Sequence, residues 1–195
     1  MKKIILATGN PGKVREMNSI LKGYYEVVSQ NDMNVIEIPE TGSTFIENAL
    51  IKARNASSQT KLPAIADDSG LEVNALNGDP GIYSARYAGV GANDNKNIAK
   101  LLSTMNQFQN RSAHFCCAMV FVQSEDDPSP IIIEKYWEGE ILHEPIGKNG
   151  FGYDPIFYLP ELECTSAQLD PDKKNQLSHR GQALKALLKQ LTLSF

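Results

Sequence analysis

An apolar stretch, Lys3-Ile4-Ile5-Leu6-Ala7, runs without a break into Thr8-Gly9-Asn10-Pro11-Gly12-Lys13 and then into helical periodicity. A strand, a tight turn and a capped helix in that order commit the chain to α/β architecture from its first residues. Asn10 is suited to cap the helix and Pro11 to occupy its first position. Gly12 and Lys13 then present backbone N–H groups and an ammonium where the helix dipole favours an anion, so the turn is a candidate for holding phosphate. It is not a Walker A loop: two residues separate its glycines, and Val14 stands where that loop carries its magnesium-binding hydroxyl. By itself the turn fits phosphate binding and ordinary α/β architecture about equally.

The periodicities downstream extend the same class. Helices are predicted over 12–22, 44–58, 93–105 and 180–191, the second opening on a Thr44-x-x-Glu47 capping box. Strands are predicted over 3–8, 25–29, 63–67, 71–75, 113–123, 131–138 and 155–159, separated by Gly, Pro and Asn clusters. Alternating β and α early, then consecutive strands, favours an α/β or α+β protein with a mixed sheet over a purely doubly wound fold. The 195 residues suit one domain spanning 1–195, with room for two lobes.

Charge then restricts the partners. A net charge of −4 argues against broad electrostatic binding to nucleic acid or an anionic membrane, which need a basic face. A small anionic ligand needs only a local cluster of cations. Cys116 and Cys117 are adjacent on a predicted strand and point to opposite faces, and Cys164 makes the count odd. A disulfide framework is not expected, and a reducing cytoplasm is. The apolar run Ile4–Ala7 is too short for a signal peptide, and no stretch approaches a membrane span.

Four stretches carry groups able to do chemistry. In Ala64-Ile65-Ala66-Asp67-Asp68-Ser69-Gly70, an apolar strand ends in two carboxylates, the hard oxygen donors magnesium prefers. The two side chains face opposite ways in an extended chain, so at most one points at a given site, and spacing alone does not choose between them. An Asx-turn closing the strand accounts for the same residues. In Gly147-Lys148-Asn149-Gly150-Phe151-Gly152-Tyr153-Asp154-Pro155 an aromatic pair and an acid sit in a flexible turn, as a base-stacking site or as a plug for the core. Lys174-Asn175-Gln176-Leu177-Ser178-His179-Arg180-Gly181 places donors at the start of the last helix. Arg86 stands between Tyr83 and Tyr87 in the long loop from Asn77 to Gly91. Glu47 is explained by its capping box, Lys52 is either solvated or aimed at an anion, and His114 and His143 lack partners at metal spacing.

Taken in order, Thr8-Gly9-Asn10-x-x-Lys13, Thr44-Phe45-x-Glu47-Asn48-Ala49-x-x-Lys52-Ala53, Ala66-Asp67-Asp68-Ser69-Gly70, Pro80-Gly81-Ile82-Tyr83-Ser84-Ala85-Arg86, Gly150-Phe151-Gly152-Tyr153-Asp154-Pro155 and Ser178-His179-Arg180-Gly181 resemble the inosine triphosphate pyrophosphatase family. The resemblance covers almost the whole chain. It implies an elongated mixed sheet flanked by helices, in two lobes with a cleft between them, and a homodimer. It also implies Mg2+-dependent hydrolysis of ITP, dITP and XTP between the α and β phosphates, giving a monophosphate and pyrophosphate.

Carried over by position, Thr8, Gly9, Asn10, Pro11, Gly12 and Lys13 hold phosphate, and Asp68 is general base and metal ligand with Glu40 as second ligand. Ser69, Lys52 and Lys174 contact substrate. Phe151, Gly152, Tyr153, Asp154, His179 and Arg180 hold the base. Asp68 is preferred to Asp67 through the resemblance and not through spacing. Donors from His179 or Arg180 aimed at a 6-oxo group would be left unpaired by adenine, which rejects it. An alternative within the same chemistry is a septum-inhibitor-type pyrophosphatase acting on dTTP or modified pyrimidine triphosphates.

Overall fold

The computed structural model describes residues 2–193. The elements in order are β1 (Lys2–Leu6), α1 (Pro11–Leu21), β2 (Tyr25–Ser29), α2 (Phe45–Thr60), β3 (Ala64–Val73), α3 (Asp94–Met105), β4 (Ser112–Val122), β5 (Ile131–Ile141), β6 (Phe157–Leu159), β7 (Cys164–Thr165), α4 (Pro171–Leu177) and α5 (His179–Leu193). Seven strands form one sheet in the order β2-β1-β3-β4-β5-β6-β7. β1 pairs in parallel with β2, Ile4 opposite Val27, and with β3, Leu6 opposite Ile65. β6 pairs antiparallel with β5, Phe157 opposite Ile141, and with β7, Leu159 opposite Cys164. The sheet is therefore mixed, as the order of predicted elements requires.

The chain divides into two compact bodies. The first comprises the described residues of Met1–Asp68, Cys117–Lys135 and Arg180–Phe195, and the second comprises Ser69–Cys116 and Tyr136–His179.

In the first body β1 is buried on both faces, and its alternation sorts two cores. Ile4 and Leu6 join Ile65 with Met17 and Leu21 of α1 and Leu184, Leu187 and Leu191 of α5. Ile5 and Ala7 join Ala64 and Ala66 with Ala49, Ala53 and Ala56 of α2. A period of two along β1 and β3 thus sends even and odd residues to different helices. The second body is built on Leu71 and Val73 of β3, Ile98, Leu101 and Met105 of α3, and Phe115, Ile141, Phe157 and Leu159 of the following strands.

Caps define the helices, those of α1 and α2 as the sequence anticipates. Asn10 accepts from the Gly12 and Lys13 amides, Thr44 and Glu47 form the reciprocal box on α2, and Asn93 accepts from Lys96 N at the start of α3. Among the described residues, two of the strands and α-helices escape the sequence reading. α4 has only seven residues, too few for a periodic signal, although Asp170 and Pro171 are a cap and a first-turn proline; β7 has two. One expected boundary is replaced: the strands over 63–67 and 71–75 are a single ten-residue β3, so Asp67-Asp68-Ser69-Gly70 lies inside a strand and closes no turn. Both faces of β3 are covered there, which keeps the ladder running through the charged residues.

Candidate active site

The opening turn is tighter than its sequence suggests. Asn10 Oδ1 accepts from Gly12 N at 2.8 Å and from Lys13 N at 3.3 Å, and Asn10 N donates to Thr8 Oγ1 at 3.2 Å. The two amides expected to be open to an anion are therefore occupied by the cap, which fixes the Asn10 amide with its Nδ2 donors turned away from the helix. A Cβ at Gly9 would stand 2.6 Å from Glu37 Oε1, so no larger residue fits beside that carboxylate without displacing it.

The positive charge of the turn is carried by the Lys13 ammonium, 2.9 Å from Asp67 Oδ2. Burial lowers the pKa of Lys13, Asp67 works against this, and the positive charges of Lys52 and Arg180 add to the lowering. Lys13 and Lys52 are thus close enough to repel each other, the arrangement a polyanion relieves.

Strand parity separates the two carboxylates of β3. Asp67, in phase with Ile65, is fully buried and receives Lys13 Nζ and, at 3.1 Å, Arg180 Nε. Burial opposes its charge, but Lys13 and Arg180 outweigh it and hold its carboxyl far below the usual carboxylate range. Asp68, in phase with Ala64 and Ala66, meets α2. Its Oδ2 accepts from Asn48 Nδ2 at 3.2 Å and its Oδ1 from Lys52 Nζ at 3.0 Å. Burial raises the Asp68 pKa, opposed by Lys52 and Lys13, and Glu40 adds to the rise.

Lys52 Nζ is also 2.8 Å from Glu40 Oε1. Burial works against its charge, yet Asp68, Asp67 and Glu40 together lift its pKa above the ordinary lysine value. Two hard carboxylates, Glu40 and Asp68, therefore converge on one cationic point. Among the described residues, no group of three or more His, Cys, Asp or Glu side chains is arranged to hold a metal ion.

In the second body the predicted aromatic turn is held by Asp154. Its Oδ2 accepts from Phe151 N at 2.8 Å and from Lys174 Nζ at 2.6 Å, and its Oδ1 accepts from Ser166 Oγ at 2.7 Å. Lys174, 5% exposed, also lies over the Phe151 ring, 4.8 Å from its centroid. Gly150 has φ +77°, and a Cβ there would fall 1.9 Å from Asp154 Oδ2, so only glycine closes this turn. Gly152, at φ +61°, donates its N–H to Asp94 Oδ2 at 2.7 Å. Tyr153 is buried, and its hydroxyl donates to Ser84 O at 2.9 Å. Tyr153 therefore plugs the core, whereas Phe151 stays half-exposed. His179 stacks on Phe115, with centroids 4.8 Å apart and planes 11° apart.

Arg180, expected beside the base, has two nitrogens committed within the first body: Nε bonds Asp67 and Nη1 bonds Glu16. Ser69 is half-buried within β3. His114 bonds Glu72 at 2.9 Å. The Asn77–Gly91 loop places Arg86 over the Tyr83 ring and, with Lys100 over Tyr87, edges a surface cavity of about 460 Å³.

Three contributors were not singled out as site residues by sequence: Asn48, Asp67 and Glu16. Asn48, fully buried, also accepts from Gly42 N at 2.8 Å and so ties the Glu40 loop to Asp68. Its signal was its place four residues before Lys52, on the same face of α2. Asp67 and Glu16 are bound to Arg180 from 113 and 164 residues away, a separation at which local pattern says nothing.

The sequence profile of the Ham1 family matches residues 4–190. A Vibrio parahaemolyticus protein named dITP/XTP pyrophosphatase is 58% identical over 195 residues, covering 98% of this chain and 98% of its own. A Vibrio cholerae protein of the same name is 59% identical, covering 97% and 96%. The solved structure of a HAM1 protein from Coxiella burnetii superposes with a TM-score of 0.92 at 51% identity, over 98% of this chain and 99% of that one. The Staphylococcus aureus Ham1 protein gives 0.89 at 42% identity over 100% of both. The match runs through the 8–13 turn, β3, the 150–154 turn and the start of α5, and the chain belongs to the Ham1 family.

Proposed function

We propose that this chain hydrolyses non-canonical purine nucleoside triphosphates, ITP, dITP and XTP, between the α and β phosphates, releasing a nucleoside monophosphate and pyrophosphate. The observation that carries the reading is the pair of lysines around the β3 carboxylates: Lys52 shared by Glu40 and Asp68, and Lys13 near enough to oppose its charge. A triphosphate carries about four negative charges, and its hydrolysis is chiefly a matter of placing cations around the charge that develops. The names of relatives at 58% and 59% identity support the substrate class.

Glu40 and Asp68 would hold a divalent cation, Mg2+ in this proposal. Their oxygens are of the kind it takes and already meet at a cation, and with two protein carboxylates the remaining positions fall to water and substrate phosphate. Bound there, it would neutralise phosphate charge and polarise the group under attack. Asp68 accepts the proton of the attacking water. Asn48 orients the carboxylate through Oδ2, and Lys52, which donates to Oδ1 in the ligand-free protein, would turn towards phosphate when the triphosphate binds.

The turn from Thr8 to Lys13, with Ser69, takes the remaining phosphate oxygens, and Arg180 adds positive charge on the Lys13 side. The half-exposed Phe151 ring, Gly152, the Asp154–Lys174 pair and the His179 donor receive the purine, and Tyr153 anchors their turn. A 6-oxo group accepts from such donors. A 6-amino group leaves one unpaired, at a cost of roughly 1–3 kcal/mol for each buried donor.

We also propose that the chain acts as a homodimer in the cytoplasm; light scattering would then return twice the 21.5 kDa chain mass. Among the described residues no helix is long and apolar enough to cross a membrane. The test of function is the purified protein with Mg2+ and a panel of ITP, dITP, XTP, GTP, ATP and dTTP, with products identified. Pyrophosphate and monophosphate from the first three are expected. Orthophosphate from ITP, or turnover confined to dTTP, would overturn the reading.

A further inference from the structure

Lys13 and Glu16 lie one turn apart on α1, and both belong to a closed circuit of four side chains within the first body. Asp67 Oδ2 accepts from Lys13 Nζ at 2.9 Å and from Arg180 Nε at 3.1 Å, and Arg180 Nη1 returns to Glu16 on the same helix. Lys13 Nζ also donates to the backbone oxygen of Asp67 at 3.4 Å, so one strand residue grips the ammonium twice. Asp67 is 0% exposed.

We infer that Asp67 is a positioning residue: it places the Lys13 ammonium for phosphate. The inference rests on the phosphate-binding reading of the 8–13 turn. A lysine is a compact charge on a flexible four-carbon stem with three rotatable donors, and at the mouth of a turn it samples many positions. Here the stem ends on a carboxylate and a carbonyl carried by β3, an interior strand of the sheet that is hydrogen-bonded to a neighbour on each side. The ordering of Lys13 is thus complete before a ligand arrives, so binding does not have to supply it. Arg180 and Glu16 balance the charge. Asp67 can serve Lys13 without being left as an anion facing a phosphate.

The test is a double-mutant cycle of wild type, Asp67→Asn, Lys13→Ala and the double variant, read by kcat and KM for ITP and by the 15Nζ–1H signal of Lys13 in the ligand-free protein. Asn keeps the shape of Asp67 and an acceptor for Arg180 but gives up the charge. Asp67→Asn is expected to broaden the Lys13 ammonium signal into solvent exchange and to lower kcat/KM about 10²-fold, mainly through KM, the scale of a misplaced binding group.

In the Lys13→Ala background the same change is expected to cost nothing further. An equal loss in both backgrounds, or an unchanged Lys13 signal, overturns the inference. Should Asp67→Asn fail to fold, Arg180→Gln is compared with Arg180→Gln/Asp67→Asn by the same two readouts and criteria, since neither carries the guanidinium. A wild-type protein that releases no pyrophosphate overturns the proposed function instead, and the Lys13 signal still decides the positioning role.

Discussion

Asp67 and Asp68 are neighbours on β3 whose carboxylates serve opposite faces of the strand, Asp67 pairing with Lys13 and Arg180, and Asp68 with Asn48 and Lys52. One is fully buried and held ionised, while the other is raised above its ordinary pKa. Adjacent carboxylates with environments that push them apart would let one strand supply both a structural anion and, under the proposed function, a base.

Asp68→Asn is expected to abolish pyrophosphate release from ITP, by about 10²–10⁴-fold or more, since a general base contributes on that scale. The fold should remain, because the asparagine oxygen still accepts from Lys52. Circular dichroism and a product assay check both halves, and substantial residual turnover would remove Asp68 as the base.

The acid limb of kcat/KM is expected to lie above the ordinary carboxylate range, because burial raises the Asp68 pKa and the base works only when ionised. Lys52→Met should move that limb further up while lowering the plateau, since Lys52 pulls the Asp68 pKa down. Rates across the acid range for both proteins measure the shift. A limb that moves down would contradict the pairing.

Thermal stability should depend on pH with the opposite sign through Asp67. Its folded pKa is depressed below the unfolded value, so the stabilisation is complete above the unfolded carboxylate pKa and is lost as pH falls below it. Melting temperatures followed from neutral to acid pH should fall less steeply for Asp67→Asn than for wild type. Parallel curves would argue against the Lys13 and Arg180 pairs as the source.

Asn48→Asp is expected to place a second carboxylate at the site of an amide 3.2 Å from Asp68 Oδ2. Two like charges at that distance resist joint ionisation, so the acid limb of the rate profile should climb and activity at neutral pH should drop. Asn48→Ala instead leaves Gly42 N and Asp68 without their shared partner and should cost roughly 1–3 kcal/mol of stability. Chemical denaturation and a pH–rate series separate the two effects.

Gly150→Ala is expected to open the turn that carries Phe151. The left-handed φ of +77° and the contact with Asp154 Oδ2 act together, at roughly 1–3 kcal/mol for the strained backbone alone. The release of Asp154 from Phe151 N should raise KM for ITP more than it lowers kcat, and steady-state kinetics with a melting curve test this.

Much of this was legible where the determinant is local. The opening strand, turn and capped helix, the Thr44–Glu47 box and the mixed order of strands follow from neighbouring residues and their periodicity. Parity also stated that Asp67 and Asp68 diverge. Parity does not say which helix covers which face, and so the assignment of Asp68 to Lys52 needed the three-dimensional arrangement. The partners of Arg180 are remote in sequence, and a buried arginine reads locally like an exposed one. The continuation of β3 through four polar and small residues was hidden because burial on both faces, and not composition, sustains the strand there.

The alanines between α2 and the sheet act as a spacer gauge. Ala49, Ala53 and Ala56 share one buried cluster with Ala64 and Ala66, so methyl groups fill much of the gap between helix and sheet. Lys52 and Asn48 ride on the same helix, and their reach to Asp68 is measured from that gap. A protein engineer could therefore adjust this pairing from inside the core: a carbon added at Ala53 shims the helix outward and lengthens the lever between Lys52 and Asp68, without touching either residue.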